Sequence, residues 1–271
     1  ARLVHTFHFG NYPNLPRRYR LMEHIGARAA DRLIAVGNDQ RRRIAATYRL
    51  PETRLGLIPN GVEPLVAAED ASWREQLRAR DAVVIGTICT FIEQKGLPDL
   101  LKVARRVVDA GDNALFVVVG DGPLRPAIEA QCRAMGLAER VLFTGWKEAA
   151  ARTMLPLFDI FFQPSLWEAM SMVVLEAMAA GKPVVATDVG DNRYAIRMDE
   201  TGAVVPRGNV VAMANALSAL VRAPDRRRAF GEAGRRRFAA HYTVDTMTRE
   251  YETLYLEVLS QHAGARRRAT A

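Results

Sequence analysis

The chain has 271 residues, with 49% hydrophobic and 25% charged side chains, which is the balance of an ordinary globular protein. This length suffices for one large or two medium domains, and no apolar run reaches the ~18 residues that a transmembrane helix needs. The formal net charge of +8 favours phosphate-bearing ligands, anionic membrane surfaces or nucleic acid, without choosing among them.

The start of the chain and its cysteines bear on where the protein resides. The first residue is Ala1 and a predicted strand follows at once, so we expect a fragment whose first half is missing. The opening residues lack the basic start and apolar core of a signal peptide. Cys89 and Cys132 lie inside apolar segments without the short spacing of a disulfide or metal site, which predicts reduced thiols in a cytoplasmic protein.

The first part of the chain predicts the end of one α/β domain. A strand, a loop and a helix lead to the strand "RLIAVG" and a second helix, and then to a short strand and an Asn-Gly turn. We therefore assign residues 1–62 to the C-terminal remnant of a Rossmann-like domain.

Residues 63–242 predict a second α/β domain. Apolar strands alternate with amphipathic helices, which is typical of a parallel sheet with helices on both faces. Asn209 is predicted to cap the helix after the last strand. A long helix is expected over 243–262, followed by a disordered basic tail over 263–271. The predicted strands are "AVVIGTI", "ALFVVVGDGP", "RVLFTG", "DIFFQPS", "KPVVAT" and "GAVVPRGN".

Polar and glycine-rich loops follow five of these strands. Since ligands of parallel sheets bind beyond the carboxyl ends of the strands, the loops together predict a ligand site at one edge of the sheet. The loops are "GTICTFIEQKG", "VVGDGP", "LFTGWKE", "FFQPSLWEAMS" and "ATDVGDN".

Two glutamates, Glu168 and Glu176, flank the start of a helix predicted over 172–180. The unpaired amides at that start, with the helix dipole, suit a phosphate. Carboxylates would repel a phosphate but accept hydroxyl donors strongly, so the arrangement suits a ligand with a sugar, two phosphates and a second sugar in a row. Glu176 lies in a nearly all-apolar helix, where we expect its charge to have a partner. On spacing alone, two exposed glutamates beside a core helix are the alternative.

Lys95 and a glycine-rich turn belong to the same predicted edge. Lys95 ends the loop "FIEQKG", where a lysine can pair with a diphosphate as a point charge; a solvated lysine before a helix is the alternative. Gly120 and Gly122 follow a strand, but Arg125 stands where the G-x-G-x-x-G pattern of dinucleotide-binding proteins needs its third glycine. The pattern therefore argues against a nicotinamide-dependent enzyme.

Five segments of the chain resemble, in order and spacing, the retaining glycosyltransferases of family 4, also called group 1 glycosyl transferases. The resemblance covers nearly the whole chain, and its last segment is the most specific. It implies the GT-B architecture, in which two Rossmann-like domains face each other across a cleft, the first binding the acceptor and the second, here 63–242, the nucleotide-activated sugar. The helix over 243–262 would cross back to pack on the first domain. The segments are "IPNGV" (58–62), "GTICTFIEQKG" (86–96), "VVVGDGPLRPAIEA" (117–130), "VLFTGWKE" (141–148) and "FFQPSLWEAMSMVVLEAMAAGKPVVATDVG" (161–190).

The resemblance implies a role for each residue around the helix start. Glu168 would contact the donor sugar, Glu176 would hold the ribose hydroxyls, and Lys95 would neutralise the diphosphate. The backbone at Met172 and Val173 would bind the distal phosphate. Transfer would retain the configuration at the anomeric carbon and need no metal or other cofactor, in keeping with the lack of a D-x-D triplet in the chain.

The resemblance also implies a base pocket and a residue on the acceptor side. The loops that hold Gly120, Gly122, Trp146 and Lys147 would line the pocket for the nucleotide base. His8, in the "TFH" segment, would lie in the cleft near the reacting sugar. The donor would be a UDP- or GDP-sugar. The acceptor would be a glycan or lipid-linked saccharide of the cell envelope, reached from the inner face of the membrane.

The chain departs from the family pattern at four positions. Thr90 stands where an arginine usually joins the lysine on the diphosphate, and Ala169 replaces the glycine after the first glutamate. Asp191 replaces the second glycine of a V-G-G segment and is expected to bring a negative charge near the phosphates. Tyr194 replaces a glutamate, and Arg193 is the candidate to compensate.

Two other functions remain open from the sequence. A nucleotide-sugar-binding module without transfer activity would use the same donor residues. A nucleic-acid-binding protein would use the arginine runs, but these lack interleaved aromatic residues and are typical of solvated helix faces. Contact with an anionic membrane surface is a further role for the runs. They lie at 41–43, 226–228, 235–237 and 266–268.

Overall fold

The computed structural model describes residues 2–8, 16–68 and 70–269 of the chain. It contains two parallel β-sheets, of three and six strands, which carry helices and confirm the predicted α/β class. Within those three ranges, no helix is long and apolar enough to cross a membrane.

The smaller sheet occupies the first part of the chain. Its elements are β1 (Val4–Phe7), α1 (Arg17–Ala29), β2 (Arg32–Ala35), α2 (Asn38–Tyr48), a 3₁₀ turn (Glu52–Arg54) and β3 (Leu55–Leu57). The strands run parallel in the order β1-β2-β3. Phe7, Leu33, Ile44 and Tyr48 are buried together, because the strands and α2 turn their apolar sides toward each other.

The larger sheet contains all six strands that the sequence predicts after residue 80. These are β4 (Val83–Ile88), β5 (Ala114–Val119), β6 (Val141–Gly145), β7 (Ile160–Gln163), β8 (Val184–Thr187) and β9 (Gly202–Val205). All neighbours are parallel, in the order β6-β5-β4-β7-β8-β9. Every residue of β5 is buried, as expected for a strand covered on both faces.

Helices cover both faces of the larger sheet. They are α3 (Ala71–Arg78), α4 (Leu97–Asp109), α5 (Arg125–Ala134), α6 (Ala150–Thr153), α7 (Met172–Ala179), α8 (Asn192–Ala195), α9 (Val210–Val221) and α10 (Pro224–His241), with 3₁₀ turns at Glu93–Lys95 and Leu155–Leu157. Helices α4, α5 and α9 pack on one face, and α7 and α10 on the other. Asn209 caps α9 as predicted, because its side chain accepts a 2.9 Å hydrogen bond from the amide of Ala212.

The last helix, α11 (Val244–Ala269), returns to the smaller sheet. Thr243, just before it, pairs with Val62, and the hydroxyl groups of Tyr251 and Thr6 lie 3.2 Å apart. The helix extends beyond residue 262, so the tail expected to be disordered is helical through Ala269. Alanine and arginine, which are strong helix formers, make up most of these last residues.

The order of the strands locates the crevice of the larger sheet. The connections run outward from β4 in one direction through β5 and β6, and from β7 in the other through β8 and β9. The loops that leave the carboxyl ends of β4 and β7 therefore diverge and open a crevice between them. In doubly wound sheets this switch point is where ligands bind.

Candidate functional site

An ion pair spans the switch point between β4 and β7. Lys95 lies in the loop after β4 and Glu168 in the loop after β7, and the Lys95 ammonium group donates a 2.7 Å hydrogen bond to Glu168 Oε1. The two loops are also joined by a backbone hydrogen bond of 2.7 Å from Leu166 to Gln94. The sequence placed both side chains at one sheet edge, and the structure brings them into direct contact.

The Glu168 carboxylate is held by three donors. Besides Lys95, the hydroxyl of Ser165 donates at 2.8 Å to Oε1, and the side-chain amide of Gln94 donates at 3.2 Å to Oε2. Only 9% of the Glu168 side chain is exposed, against 20% for Lys95. Sequence reasoning missed Ser165 and Gln94 because nothing in the pattern distinguishes them from other loop residues, apart from the position of Gln94 next to Lys95.

The start of α7 follows this loop and offers free amide groups. Ser171 stands at the N-cap, but its side chain makes no capping bond to the helix. Instead Ser171 Oγ receives a 2.5 Å hydrogen bond from the side-chain amide of Gln163. The first amides of the helix, at Met172 and Val173, have no intrahelical acceptor, and the helix dipole adds a partial positive charge to them.

Glu176 lies one turn into α7 and is only partly buried. Burial raises the pKa of its carboxyl group above the usual value, because desolvation disfavours the charged form. The described residues supply neither a hydrogen bond nor an ion pair to Glu176, so the partner that the sequence predicts for this charge is not among them. The carboxylate is thus available to an external donor.

Glu176 and Met172 face a cavity of about 600 Å³ beside α7. Its walls come from the end of β4, the segment after β3, α6 with the residue before it, and the start of α11. The lining includes Gly61, Val62, Glu63, Pro64, Leu65, Ile88, Ala149, Ala150, Ala151, Arg152 and Val244. Lys95 and Glu168 do not line this cavity. The site therefore has two parts, the ion pair before α7 and the cavity alongside it, joined by the helix start.

Gly120 and Gly122, expected in the base pocket, pack against the loop after β4. A Cβ atom on Gly120 would lie 1.9 Å from the carbonyl oxygen of Cys89, and one on Gly122 would lie 2.7 Å from the amide of Phe91. Both glycines have positive φ angles, of 128° and 156°. Their observed role is to let two neighbouring loops of the crevice approach each other closely.

Trp146 and Lys147 follow β6 and differ in their surroundings. Trp146 is 71% exposed. Lys147 donates a 2.9 Å hydrogen bond to Asp70, the N-cap residue of α3, and its ammonium group lies 5.7 Å from the centre of the Trp73 ring. Hydrogen bonds from Ser72 and Lys147 lower the pKa of Asp70 to about 2. Lys147 thus fixes the loop after β6, in which the Trp146 side chain stays accessible.

His8 is exposed and lies directly after β1. Among the contacts that the structure describes, none joins His8 to Lys95, to Glu168 or to α7. The side-chain amide of Gln40 donates to the carbonyl of the preceding residue, Phe7, at 3.0 Å and holds the end of the strand.

A family model described as "Glycosyl transferases group 1" matches residues 69–237, well over half of the chain. The chain belongs to the group 1 glycosyl transferases. A second family model, "Glycosyltransferase Family 4", matches residues 1–64. The two matches divide the chain between its smaller and larger sheets.

Curated relatives of this group 1 glycosyl transferase are transferases of several sugars. Alpha-D-kanosaminyltransferase of Streptomyces kanamyceticus is 30% identical over 70% of this chain and 50% of its own length. A GDP-mannose-dependent alpha-(1-6)-phosphatidylinositol monomannoside mannosyltransferase of Mycobacterium tuberculosis is 29% identical over 86% of this chain and 63% of its own. This chain spans 42% to 64% of the length of the curated relatives it matches.

Solved structures show the GT-B fold for this group 1 glycosyl transferase. HepE of Anabaena superposes with a TM-score of 0.84 at 20% identity, over 94% of this chain and 72% of that chain. Sucrose-phosphate synthase of Thermosynechococcus elongatus has a TM-score of 0.82 at 23% identity, over 95% and 68% of the two chains.

Two of the four positions at which this group 1 glycosyl transferase departs from the family pattern, Asp191 and Tyr194, contact α2. Asp191 is 4% exposed, and its carboxylate caps α2 instead of facing the phosphate side of α7, which corrects our expectation. Tyr194 receives a hydrogen bond from Arg42, and Arg193 pairs with Asp188. Thr90 is exposed in the loop after β4.

Several arginines of the basic runs are bound to carbonyl groups at the ends of other elements, instead of forming purely solvated faces. Arg227 donates to Leu220 and Val221 at the end of α9, and Arg235 donates to Ala180 after α7. These contacts satisfy carbonyls that a helix leaves free at its C-terminus. A nucleic-acid-binding role is accordingly not favoured for this group 1 glycosyl transferase.

Proposed function

We propose that this chain binds a nucleotide-diphosphate sugar at the start of α7 and takes part in transferring the sugar to an acceptor. The observation that carries the proposal is the carboxylate of Glu176, which is partly desolvated, has no partner among the described residues and faces a cavity beside free helix amides. A hydroxyl-bearing ligand with an adjacent phosphate satisfies both groups.

The donor would lie along α7. The Glu176 carboxylate would accept hydrogen bonds from the ribose hydroxyls, with the nucleoside in the cavity of about 600 Å³. The amides of Met172 and Val173 would bind the phosphate distal to the nucleoside. Lys95 would face the diphosphate and Glu168 the transferred sugar, since both lie in the loops just before the helix start.

The chemistry would rest on leaving-group stabilisation. As the bond between the anomeric carbon and the diphosphate breaks, negative charge develops on the phosphate oxygens. Lys95 and the amides of α7 would stabilise that charge at fixed positions, without a metal ion. The Glu168 carboxylate, kept in place by Ser165 and Gln94, would accept a sugar hydroxyl while Lys95 turns to the diphosphate. We propose retention of configuration, as in the family that the sequence resembles.

The nature of donor and acceptor follows from the relatives only as a proposal. HepE of Anabaena was solved with UDP-glucose, and the mycobacterial relative is named as GDP-mannose-dependent. An Escherichia coli relative is named for a diphosphoundecaprenol acceptor. We therefore propose a UDP- or GDP-sugar donor and a glycan or lipid-linked acceptor of the cell envelope, used at the cytoplasmic membrane face.

Calorimetric binding of UDP and GDP to the wild-type chain and to Glu176→Ala tests the proposal. We expect one nucleotide to bind the wild type, and the affinity of Glu176→Ala to be lower by about 10-fold or more, since charged hydrogen bonds to the ribose are lost. Glu200→Ala, which changes an exposed glutamate outside the site, is the matched control.

Two results would contradict the proposal. One is a wild-type chain that binds neither nucleotide. The other is Glu176→Ala with the same affinity as the wild type and the control, which would remove the ribose role of Glu176.

A further inference from the structure

A hydrogen-bonded contact joins the two sheets at the start of α2. One carboxylate oxygen of Asp191 accepts hydrogen bonds from the backbone amide and the side-chain amide of Asn38, at 2.6 and 3.1 Å. The other accepts the backbone amide of Asp39 at 2.9 Å. We call these three bonds the Asp191 cap. The Asp191 carboxylate, which follows β8 of the larger sheet, thus accepts hydrogen bonds from two backbone amides that have no acceptor within α2.

Gly37 leaves the space that the Asp191 cap occupies. It is the N-cap residue of α2 and has no side chain that could cap the helix. Its φ and ψ angles, −149° and 152°, are extended and open to any residue. A larger residue is excluded by lack of space instead, because a Cβ atom on Gly37 would lie 2.8 Å from Cγ of Asp191. A local cap and the Asp191 cap therefore exclude each other.

The loop that carries Asp191 also holds the donor-site loop. The backbone amide of Asp191 donates a 3.0 Å hydrogen bond to the carbonyl of Ala169, directly after Glu168. The preceding residue, Gly190, lies so close that a Cβ atom would be 2.6 Å from the carbonyl oxygen of Glu168. One residue thus binds α2 through its side chain and the Glu168 segment through its backbone.

The next residue extends the connection to the start of α7. The side-chain amide of Asn192, which is 2% exposed, donates to Gln163 Oε1 at 3.0 Å and to the carbonyl of Thr187 at 2.9 Å. Gln163 in turn donates to Ser171, the N-cap of α7. The Thr187 hydroxyl also donates to the carbonyl of Ser165 at 2.6 Å. Buried hydrogen bonds therefore run from the Asp191 loop to both ends of the segment 165–171.

We infer that Asp191 is a positioning residue for the donor site: by capping α2 across the junction of the two sheets, it fixes the loop that carries Glu168 and the start of α7. The inference rests on the proposed function, since it concerns the donor contacts of that loop. Asp191 does not touch the donor, because α2 occupies both of its carboxylate oxygens. Donor binding then depends on the position of the smaller sheet relative to the larger one.

The test compares Asp191→Ala with the double variant Gly37→Ser/Asp191→Ala. Alanine at 191 removes the cap and leaves space at 37, where serine is a good N-cap residue and restores a local cap to α2. Two quantities are measured: amide hydrogen exchange in the segments 38–41 and 165–174, and calorimetric affinity for UDP or GDP. Asp225→Ala, in an exposed ion pair of α10, is the control.

We expect Asp191→Ala to exchange faster in both segments and to bind the nucleotide about 3- to 10-fold more weakly. The double variant should regain protection in 38–41 alone, with fast exchange in 165–174 and weak binding unchanged. If the Asp191 cap only stabilised α2, serine at position 37 would restore the protection of both segments and the nucleotide affinity. Such full recovery, or wild-type affinity in Asp191→Ala, overturns the inference.

Amide hydrogen exchange in 165–174 is measured without nucleotide. It therefore tests the inference even if the wild type binds neither UDP nor GDP and the proposed function fails. If Asp191→Ala does not fold, Asp191→Asn replaces it, because asparagine keeps one acceptor oxygen for α2. Intermediate exchange in 165–174 supports the inference in that variant, and wild-type exchange there contradicts it.

Discussion

At the level of one residue, Glu176 places a carboxyl group in an otherwise apolar helix. Its pKa is raised by burial, which means that the folded, ligand-free protein holds the proton more tightly than the unfolded chain does. The free energy of unfolding then falls as the pH rises from the ordinary pKa of a glutamate into the raised range. Ionisation of Glu176 therefore costs stability at neutral pH, and a hydroxyl-bearing ligand would offset that cost.

Glu176→Gln tests this conclusion through stability alone. Glutamine has nearly the same shape and no charge, so we expect a higher free energy of unfolding than wild type at pH 7.5. The difference should shrink toward zero near pH 4, where the wild-type carboxyl group is protonated. Urea denaturation at the two pH values measures it, with the exposed Glu200→Gln as control. A difference that is the same at both pH values would show that ionisation of Glu176 is not its cause.

Single residues also mark the limit of what the sequence could predict at the site. Lys95 and Glu168 were placed at one edge because parallel strands bring their loops together, and they form an ion pair. Asp191 was expected near the phosphates, but its carboxylate instead accepts a hydrogen bond from Asn38, which lies 153 positions earlier in the chain. No local pattern contains such a contact, and the same holds for the bond from Lys147 to Asp70.

At the level of elements, the loop after β4 depends on one glycine. Gly96 has a φ angle of 62°, and a Cβ atom there would lie 2.1 Å from the carbonyl oxygen of Pro164 in the loop after β7. The close approach brings Lys95 to Glu168. The strands on either side could be predicted from their apolar runs, whereas the distance between their loops could not, because it depends on backbone contacts across the crevice.

Gly96→Ala should therefore destabilise the chain by at least about 2 kcal/mol, since it adds a clash with backbone to the strain of a positive φ. Gly111→Ala is the matched control, because Gly111 has a φ of 75° and no atom within 4 Å of its Cβ position. Strain alone should cost the control about 1 kcal/mol. Urea denaturation compares the two variants. Equal losses would show that the loops can separate freely and that Gly96 does not set their distance.

At the level of the whole molecule, α11 and the Asp191 cap join a small unit to a large one. The three short strands before residue 58 bury a modest core, and units of about 60 residues are marginal on their own. The alternating strands predicted both units, and the resemblance predicted that the last helix crosses between them. The extent of that helix was underestimated, because its final residues were judged by their place at the chain terminus and not by helix propensity.

A chain that ends at residue 242 tests how far α11 supports the smaller sheet. This truncation removes the pairing of Thr243 with Val62, the contact of Met247 with the amide of Gly61 and the hydrogen bond between Tyr251 and Thr6. We expect calorimetry to show a separate transition of the smaller unit about 5–15 °C below the main one, from the loss of a few kcal/mol of contacts. Proteolysis should then begin within residues 2–57.

A chain ending at residue 260 keeps all three contacts and should melt as the full chain does. If the shorter chain also melts in one transition at the original temperature, the contacts of α11 do not stabilise the smaller sheet, and the junction around Asp191 must hold the two units together by itself.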